Sequence, residues 1–146
     1  MIQTNNFSYA DDGQSYLGIV AHDDSIQGKR PVVLVAKLGY LALAIDVYGE
    51  GKRAKNAGEA EALMNEVVAD RQKLLDRIIL AFNCIKEHDL ADPENVGIIG
   101  FCFGGKCALD LARSGADFKG AVSFHGLLDP NGLEQEEEIK AKVLVL

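Results

Sequence analysis

The stretch Gly97-Ile-Ile-Gly-Phe-Cys-Phe-Gly-Gly105 carries an apolar run into a cysteine with a glycine two residues before it and two after. The pattern is that of a strand, a tight corner and a helix, with Cys102 at the corner. Side chains two residues either side of such a corner collide with the neighbouring strand and helix, and Gly100 and Gly104 remove them. Gly105 further eases the packing of helix on sheet. A corner of this kind aims the first free N–H groups of the helix, with their partial positive charge, at the sulfur, which favours the reactive thiolate. The N–H of Phe103 then stands where it can donate to the oxyanion formed when Cys102 attacks an ester carbonyl.

The same residues, continued through Lys106-Cys107, also meet G-x-x-x-x-G-K, the opening of a phosphate-binding loop. Magnesium at such a loop needs the hard oxygen of a Ser or Thr where this chain has the soft sulfur of Cys107, and two phenylalanines crowd the space that phosphates would occupy. The remaining alternative makes Cys102 a small apolar residue in a structural turn, which leaves the flanking glycines without a reason. Cys84 and Cys107 fall inside helical patterns and are expected to be packing residues. Three cysteines with no C-x-x-C pair suggest neither a disulfide framework nor a zinc site, and no paired carboxylates or metal cluster emerge, so no cofactor or metal is expected. His22 and His88 sit in polar, turn-like surroundings and are expected at the surface. His125, in Ser-Phe-His-Gly, follows a strand toward the sheet's carboxyl edge and is assigned a structural role. Asp46, near the end of its strand, stands where carboxylates often cap loops.

The elements that position the corner can be traced along the chain. Tyr16–Ala21 and Pro31–Val35 have strand composition and are separated by the turn-rich Asp23–Gly28, which predicts an N-terminal hairpin. Leu41–Val47 is nearly all apolar, the pattern of a strand covered on both faces in a parallel sheet. Apolar residues at 63, 67, 74, 78, 82 and 85 share one helical face and predict a long helix from Ala60 to His88, broken near Asp70. Asp92-Pro93 marks a turn. Val96–Ile99 is a buried strand, Lys106–Arg113 a helix, Ala121–Phe124 a strand, and Val143–Leu146 a buried strand. Alternating strands and helices predict an α/β fold, a mostly parallel sheet with helices on both faces.

The 146 residues suit one domain, with 48% hydrophobic and 25% charged residues. A formal charge of −7 with scattered basic residues disfavours nucleic acid or an anionic membrane as partner. The acidic run Glu134–Glu138 is expected to be a solvated surface segment. No apolar stretch approaches the roughly 18 residues that cross a bilayer, and no secretory leader pattern is present, which predicts a cytoplasmic protein. Two places depart from a complete α/β domain. Parallel neighbours need a crossover of about a dozen residues, usually a helix, yet Ala36-Lys-Leu-Gly-Tyr40 alone joins two strand patterns. It has the form of a last helical turn capped by Gly39; a short antiparallel link is the alternative, though the two runs lack the alternation of a half-exposed hairpin. Segments are therefore expected to be missing at the Val35/Ala36 junction and after Leu146.

The chain resembles the dienelactone hydrolase family, a carboxymethylenebutenolidase-like branch of the α/β-hydrolases. The resemblance is carried by Arg30-Pro-Val-Val-Leu-Val35, Leu38-Gly-Tyr-Leu-Ala-Leu-Ala-Ile-Asp-Val-Tyr-Gly49, Asn95-Val-Gly-Ile-Ile-Gly-Phe-Cys-Phe-Gly-Gly105 and Gly120-Ala-Val-Ser-Phe-His-Gly126, in the family's order. It implies the α/β-hydrolase fold, a Cys-Asp-His triad with Cys102 as nucleophile, and the Phe103 N–H as part of the oxyanion hole. It implies a small-molecule ester or enol-lactone as substrate, opened through a thioester acyl-enzyme to a keto acid such as maleylacetate. The family's second oxyanion donor, an acidic residue near the thiol and a helix follow the strand matching Pro31–Val35, and this sequence lacks them at the Val35/Ala36 junction. The triad Asp and His follow the strand matching Val143–Leu146, while His125 matches a non-catalytic position. The alternative is a non-catalytic or truncated α/β-hydrolase-like protein that retains a reactive thiol.

Overall fold

In the computed structural model, the described residues are 1–25, 28, 30–32, 39–130, 132–133 and 138–146. The chain begins with two ten-residue strands, β1 (Ile2–Asp11) and β2 (Gln14–Asp23), paired antiparallel without a register break from Ile2↔Asp23 to Asp11↔Gln14. Their two-residue loop is Asp12-Gly13, both at positive φ (43° and 78°), the backbone that suits the right-handed twist of a tight hairpin. The N-terminal hairpin is thus β1–β2. The strand at Arg30–Val32, β3, does not pair with β2 as the turn-rich Asp23–Gly28 segment had suggested; it runs parallel to β5 in another sheet.

The Leu41–Val47 run forms a strand, β4, only over Ala42–Ala44, and its pairing is antiparallel to β2, with Ile45 39% exposed. The expectation of a parallel strand covered on both faces is corrected here. The predicted long helix is two: α1 (Ala57–Val68) and α2 (Arg71–Lys86), parted where expected, because Asp70 turns out to extended backbone and its carboxylate accepts the Lys73 N–H. Asn56 caps α1 in the same way through the Glu59 N–H, and the Glu59 carboxylate in turn accepts the Lys55 N–H. Val67, Leu74, Ile78, Phe82 and Ile85 are buried, as their spacing predicts.

Strand β5 (Ala91–Phe101) absorbs the expected Asp92-Pro93 turn as an irregularity within the strand: pairing with β3 jumps from Pro31↔Asp92 to Val32↔Val96 while the Asp92 carboxylate accepts the Glu94 N–H. Helix α3 (Phe103–Arg113) follows, then β6 (Gly120–Phe124) and β7 (Lys142–Val145). Among the described residues the sheets are ordered β1-β2-β4 and β3-β5-β6-β7, the second wholly parallel. Helix α3 packs on β5 and β6 and against α2. The buried cluster joins Val20, Leu41, Leu74, Val96, Leu111, Phe118 and Ala121, so strands of both sheets and the helices share it. Phe101, Leu144 and Leu146 lie on the other side of the parallel sheet and are more than half exposed. Strand β7 was expected to be buried, but all four of its residues are exposed. Among the described residues no helix is long and apolar enough to cross a membrane. The Val35/Ala36 junction and most of the acidic run lie outside the described residues. Gly39, at φ 92°, has the left-handed backbone expected of a cap.

Candidate functional site

Cys102 occupies the corner between β5 and α3 with φ 52° and ψ −117°, a conformation that costs a residue with a side chain about 1–3 kcal/mol and is held only where the surroundings impose it. Two bonds impose it here. The Cys102 N–H donates to the Phe124 carbonyl on β6 at 3.0 Å, and the Cys102 carbonyl accepts the Lys106 N–H at 3.2 Å as α3 begins. The Cys102 side chain is exposed. Phe103 is the first residue of α3, so its N–H has no partner within the helix, the position from which a helix N–H can donate to a ligand oxygen.

The glycines share the work differently from the expectation. A Cβ on Gly100 would lie 1.9 Å from the Gly104 carbonyl oxygen, so β5 and α3 approach too closely there for any other residue. A Cβ on Gly105 would lie 2.5 Å from the Ser123 Oγ on β6 and 3.0 Å from the Gly126 Cα. Around Gly104, among the described residues, a Cβ would meet nothing within 4 Å. Steric need therefore falls on Gly100 and Gly105, and Gly104 is not required by contact with those residues.

Other sequence candidates take non-catalytic places. Cys107 is buried on α3 and burial pushes its thiol up to about 12, so it stays protonated and unreactive. Burial likewise raises Cys84 on α2. His88 is half-buried: its Nδ1 accepts the Leu90 N–H, its ring lies 5.9 Å from that of Phe7, and burial lowers its pKa. His22 is also half-buried. His125, exposed and at φ 40°, follows β6, and its ring is 6.5 Å from that of Phe101, the residue before the thiol. Among the described residues no histidine is hydrogen-bonded to Cys102, and no group of three or more His, Cys, Asp or Glu is placed to hold a metal ion.

Asp46 is the loop cap its position suggested. Its carboxylate accepts the N–H groups of Leu17, Tyr48, Gly49 and Gly51 at 2.8–3.1 Å. The Asp46 N–H donates to the Tyr9 hydroxyl, and burial pushes the Tyr9 phenol up to about 12. The ion network beside the corner had no distinct signal in the sequence. Asp110, 2% exposed, is paired with Arg71 of α2 and with Arg113, while Lys106, equally buried, reaches Asp129 in the loop after β6 at 3.3 Å. Arg113 also donates to the Leu128 carbonyl at 3.0 Å, so α3 grips that loop at two points.

A family model described as the dienelactone hydrolase family matches residues 18–146. A Yersinia pestis protein provisionally named carboxymethylenebutenolidase is 31% identical over 137 residues, covering 80% of this chain and 51% of that protein. A Bradyrhizobium protein provisionally named 2-oxo-3-(5-oxofuran-2-ylidene)propanoate lactonase is 33% identical over 102 residues, covering 69% of this chain and 40% of that protein. A solved structure titled as a dienelactone hydrolase-like promiscuous phosphotriesterase from metagenomic libraries superposes with a TM-score of 0.83 at 29% identity, over 99% of this chain and 67% of that one. The chain spans about half or less of the length of these two named relatives.

Proposed function

The chain belongs to the dienelactone hydrolase family, and on that premise we propose that the protein hydrolyses an ester or enol-lactone of a small molecule, with the Cys102 thiolate as nucleophile. The observation that carries this reading is the Cys102 corner: an exposed thiol held at φ 52° between a strand and the free N–H end of a helix. The sulfur attacks the carbonyl carbon, the carbonyl π electrons move to oxygen, and the Phe103 N–H donates to that oxyanion. Collapse of the tetrahedral adduct breaks the C–O bond and expels the enolate or alkoxide, which takes up a proton. A thioester remains on Cys102. Water then adds to it, and loss of the thiolate gives the carboxylic acid. Opening an enol-lactone releases an enol that becomes a ketone, so the product is a keto acid. The lactonase and butenolidase names carried by relatives support this substrate class.

A second reading, a non-catalytic protein that retains a reactive thiol, is favoured by the lack of a histidine hydrogen-bonded to Cys102 among the described residues, because triad members act as a unit. Turnover of p-nitrophenyl acetate and of a five-membered enol-lactone by the full-length protein, before and after mild alkylation, separates the two. The hydrolase reading expects turnover that disappears on alkylation in a Cys84→Ser, Cys107→Ser background and is absent in Cys102→Ala. Alkylation at Cys102 with no turnover at any pH overturns it in favour of the second.

A further inference from the structure

The loop that leaves β4 is held from two sides. Asp46 accepts the Tyr48 N–H at 3.1 Å, and Arg77, buried on α2, donates from Nη1 to the carbonyl oxygens of Val47 at 2.7 Å and Tyr48 at 3.4 Å. Both backbone groups of Tyr48 are therefore tied, one to a buried carboxylate and one to a buried guanidinium. The side chain that this clamp presents is a half-buried ring lying nearly parallel to the ring of Phe103, with centroids 6.5 Å apart and planes 11° apart. That separation is within the range in which aromatic pairs attract.

Phe103 is the residue whose N–H the hydrolase reading uses. An oxyanion donor is effective when it is aimed before the charge develops. The first N–H of a helix is not anchored by a bond within the helix, so its direction depends on the peptide plane between Cys102 and Phe103. That plane is held at one end, where the Cys102 carbonyl accepts the Lys106 N–H at 3.2 Å, while the exposed Cys102 side chain makes no capping bond and adds nothing to it. The Phe103 ring is the other handle on it.

We propose that Tyr48 is a positioning residue for this site: its clamped ring seats the Phe103 ring and so fixes the aim of the Phe103 N–H. This rests on the assignment of Cys102 as nucleophile. Burial raises the Tyr48 phenol, so the ring stays neutral and sets no negative charge beside the oxyanion. The aromatic face is what acts, and the hydroxyl is dispensable.

The test compares Tyr48→Leu and Tyr48→Phe with the wild type in the full-length protein, by two reactions of one thiol. Alkylation by iodoacetamide forms no oxyanion, whereas acylation by p-nitrophenyl acetate does. Tyr48→Leu is expected to slow acylation by about tenfold or more, a fraction of the 10²–10³ that a whole donor is worth, with alkylation of Cys102 unchanged within about twofold. Tyr48→Phe is expected to restore acylation. Three results overturn the proposal: acylation unaffected in Tyr48→Leu, both reactions slowed alike, or Tyr48→Phe as impaired as Tyr48→Leu. A wild-type thiol that is alkylated but never acylated removes the hydrolase reading and this inference with it, and intact wild-type acylation tells that failure from the other three.

Discussion

The space for a β-carbon on Gly100 is already filled by the carbonyl oxygen of Gly104, 1.9 Å away. Backbone cannot swing aside as a flexible side chain can, so Gly100→Ala must push α3 off β5 or distort the Cys102 corner. A loss of about 3 kcal/mol or more in unfolding free energy is expected, at the upper end of overpacking costs. Gly104→Ala, which meets nothing within 4 Å among the described residues, replaces a helical glycine with the best helix former and is expected to be neutral or to stabilise by up to about 1 kcal/mol. Urea titration of both variants checks the contrast. Equal destabilisation by the two would mean that both elbow glycines are sterically required.

Burial sets the order in which the three thiols react. Cys102 is exposed, Cys84 half-buried and Cys107 buried with its thiol at about 12. Limiting iodoacetamide at about pH 8 is expected to label Cys102 first and Cys107 only on unfolding. Peptide mapping after partial labelling decides this, and early labelling of Cys107 would contradict the packing of α3.

The same group makes stability fall in alkali. Between the ordinary value of 9.0 and about 12, the unfolded chain has lost the Cys107 proton while the folded one keeps it. The unfolded state then binds fewer protons, so unfolding free energy declines as pH rises through that window. Tyr9, raised from 10.0 to about 12, adds to the decline above pH 10. Cys107→Ala is expected to make the decline above about pH 9 shallower while leaving the parts owed to Cys84, raised in the same direction, and to Tyr9, whatever its cost at neutrality. Denaturant midpoints across pH 7 to 11 measure it.

Much of this arrangement is legible in the residues themselves. The corner at Cys102, the break at Asp70 and the capping place of Asp46 each follow from local rules, because a glycine pattern, an N-cap and a strand end act within a few residues. Strand partners were harder. Ile2-Gln-Thr-Asn-Asn-Phe-Ser-Tyr-Ala10 has little apolar patterning, so β1 was missed, although Asp12-Gly13 is a strong hairpin signal. Leu41–Val47 looked like a covered parallel strand because apolar content reports burial and not direction, and the direction of β4 is set by β2. The shortness of the stretch before Ala42 carries no information about which strand β4 meets. The pairing of Asp110 with Arg71 spans 39 residues of sequence and had no local signature.

Asp46 gathers four N–H groups on one buried carboxylate, which bridges the β4 loop to β2 through Leu17. Asp46→Ala strands several donors at once, at about 1–3 kcal/mol for each that water cannot reach, so a total loss of roughly 3 kcal/mol or more is expected. Asp46→Asn keeps one acceptor oxygen but turns an NH₂ toward two of the donors, and it is expected to recover only part of the loss. Under the hydrolase reading both variants also slow acylation, because the loop carries Tyr48. Normal stability in Asp46→Ala would show that solvent replaces the carboxylate.

The two buried charges of α3 should respond in opposite ways to removal. Asp110, 2% exposed, uses both carboxylate oxygens, one for Arg71 and one for Arg113, and Asp110→Ala leaves Arg71 partly buried without its ion-pair partner. Removing one partner of a buried pair costs about 3–5 kcal/mol, and that range is expected here. Lys106 is as buried, but its partner Asp129 has a side chain 66% exposed, so the attraction is weakened by water on one side while the ammonium bears the desolvation on the other. Lys106→Met keeps the aliphatic stem and removes the charge, and is expected to be neutral or stabilising. A Lys106→Met, Asp129→Ala double-mutant cycle read by urea midpoints isolates the pair, with a coupling below about 1 kcal/mol expected. A larger coupling would mean that the loop after β6 depends on this contact for its place beside the Cys102 corner.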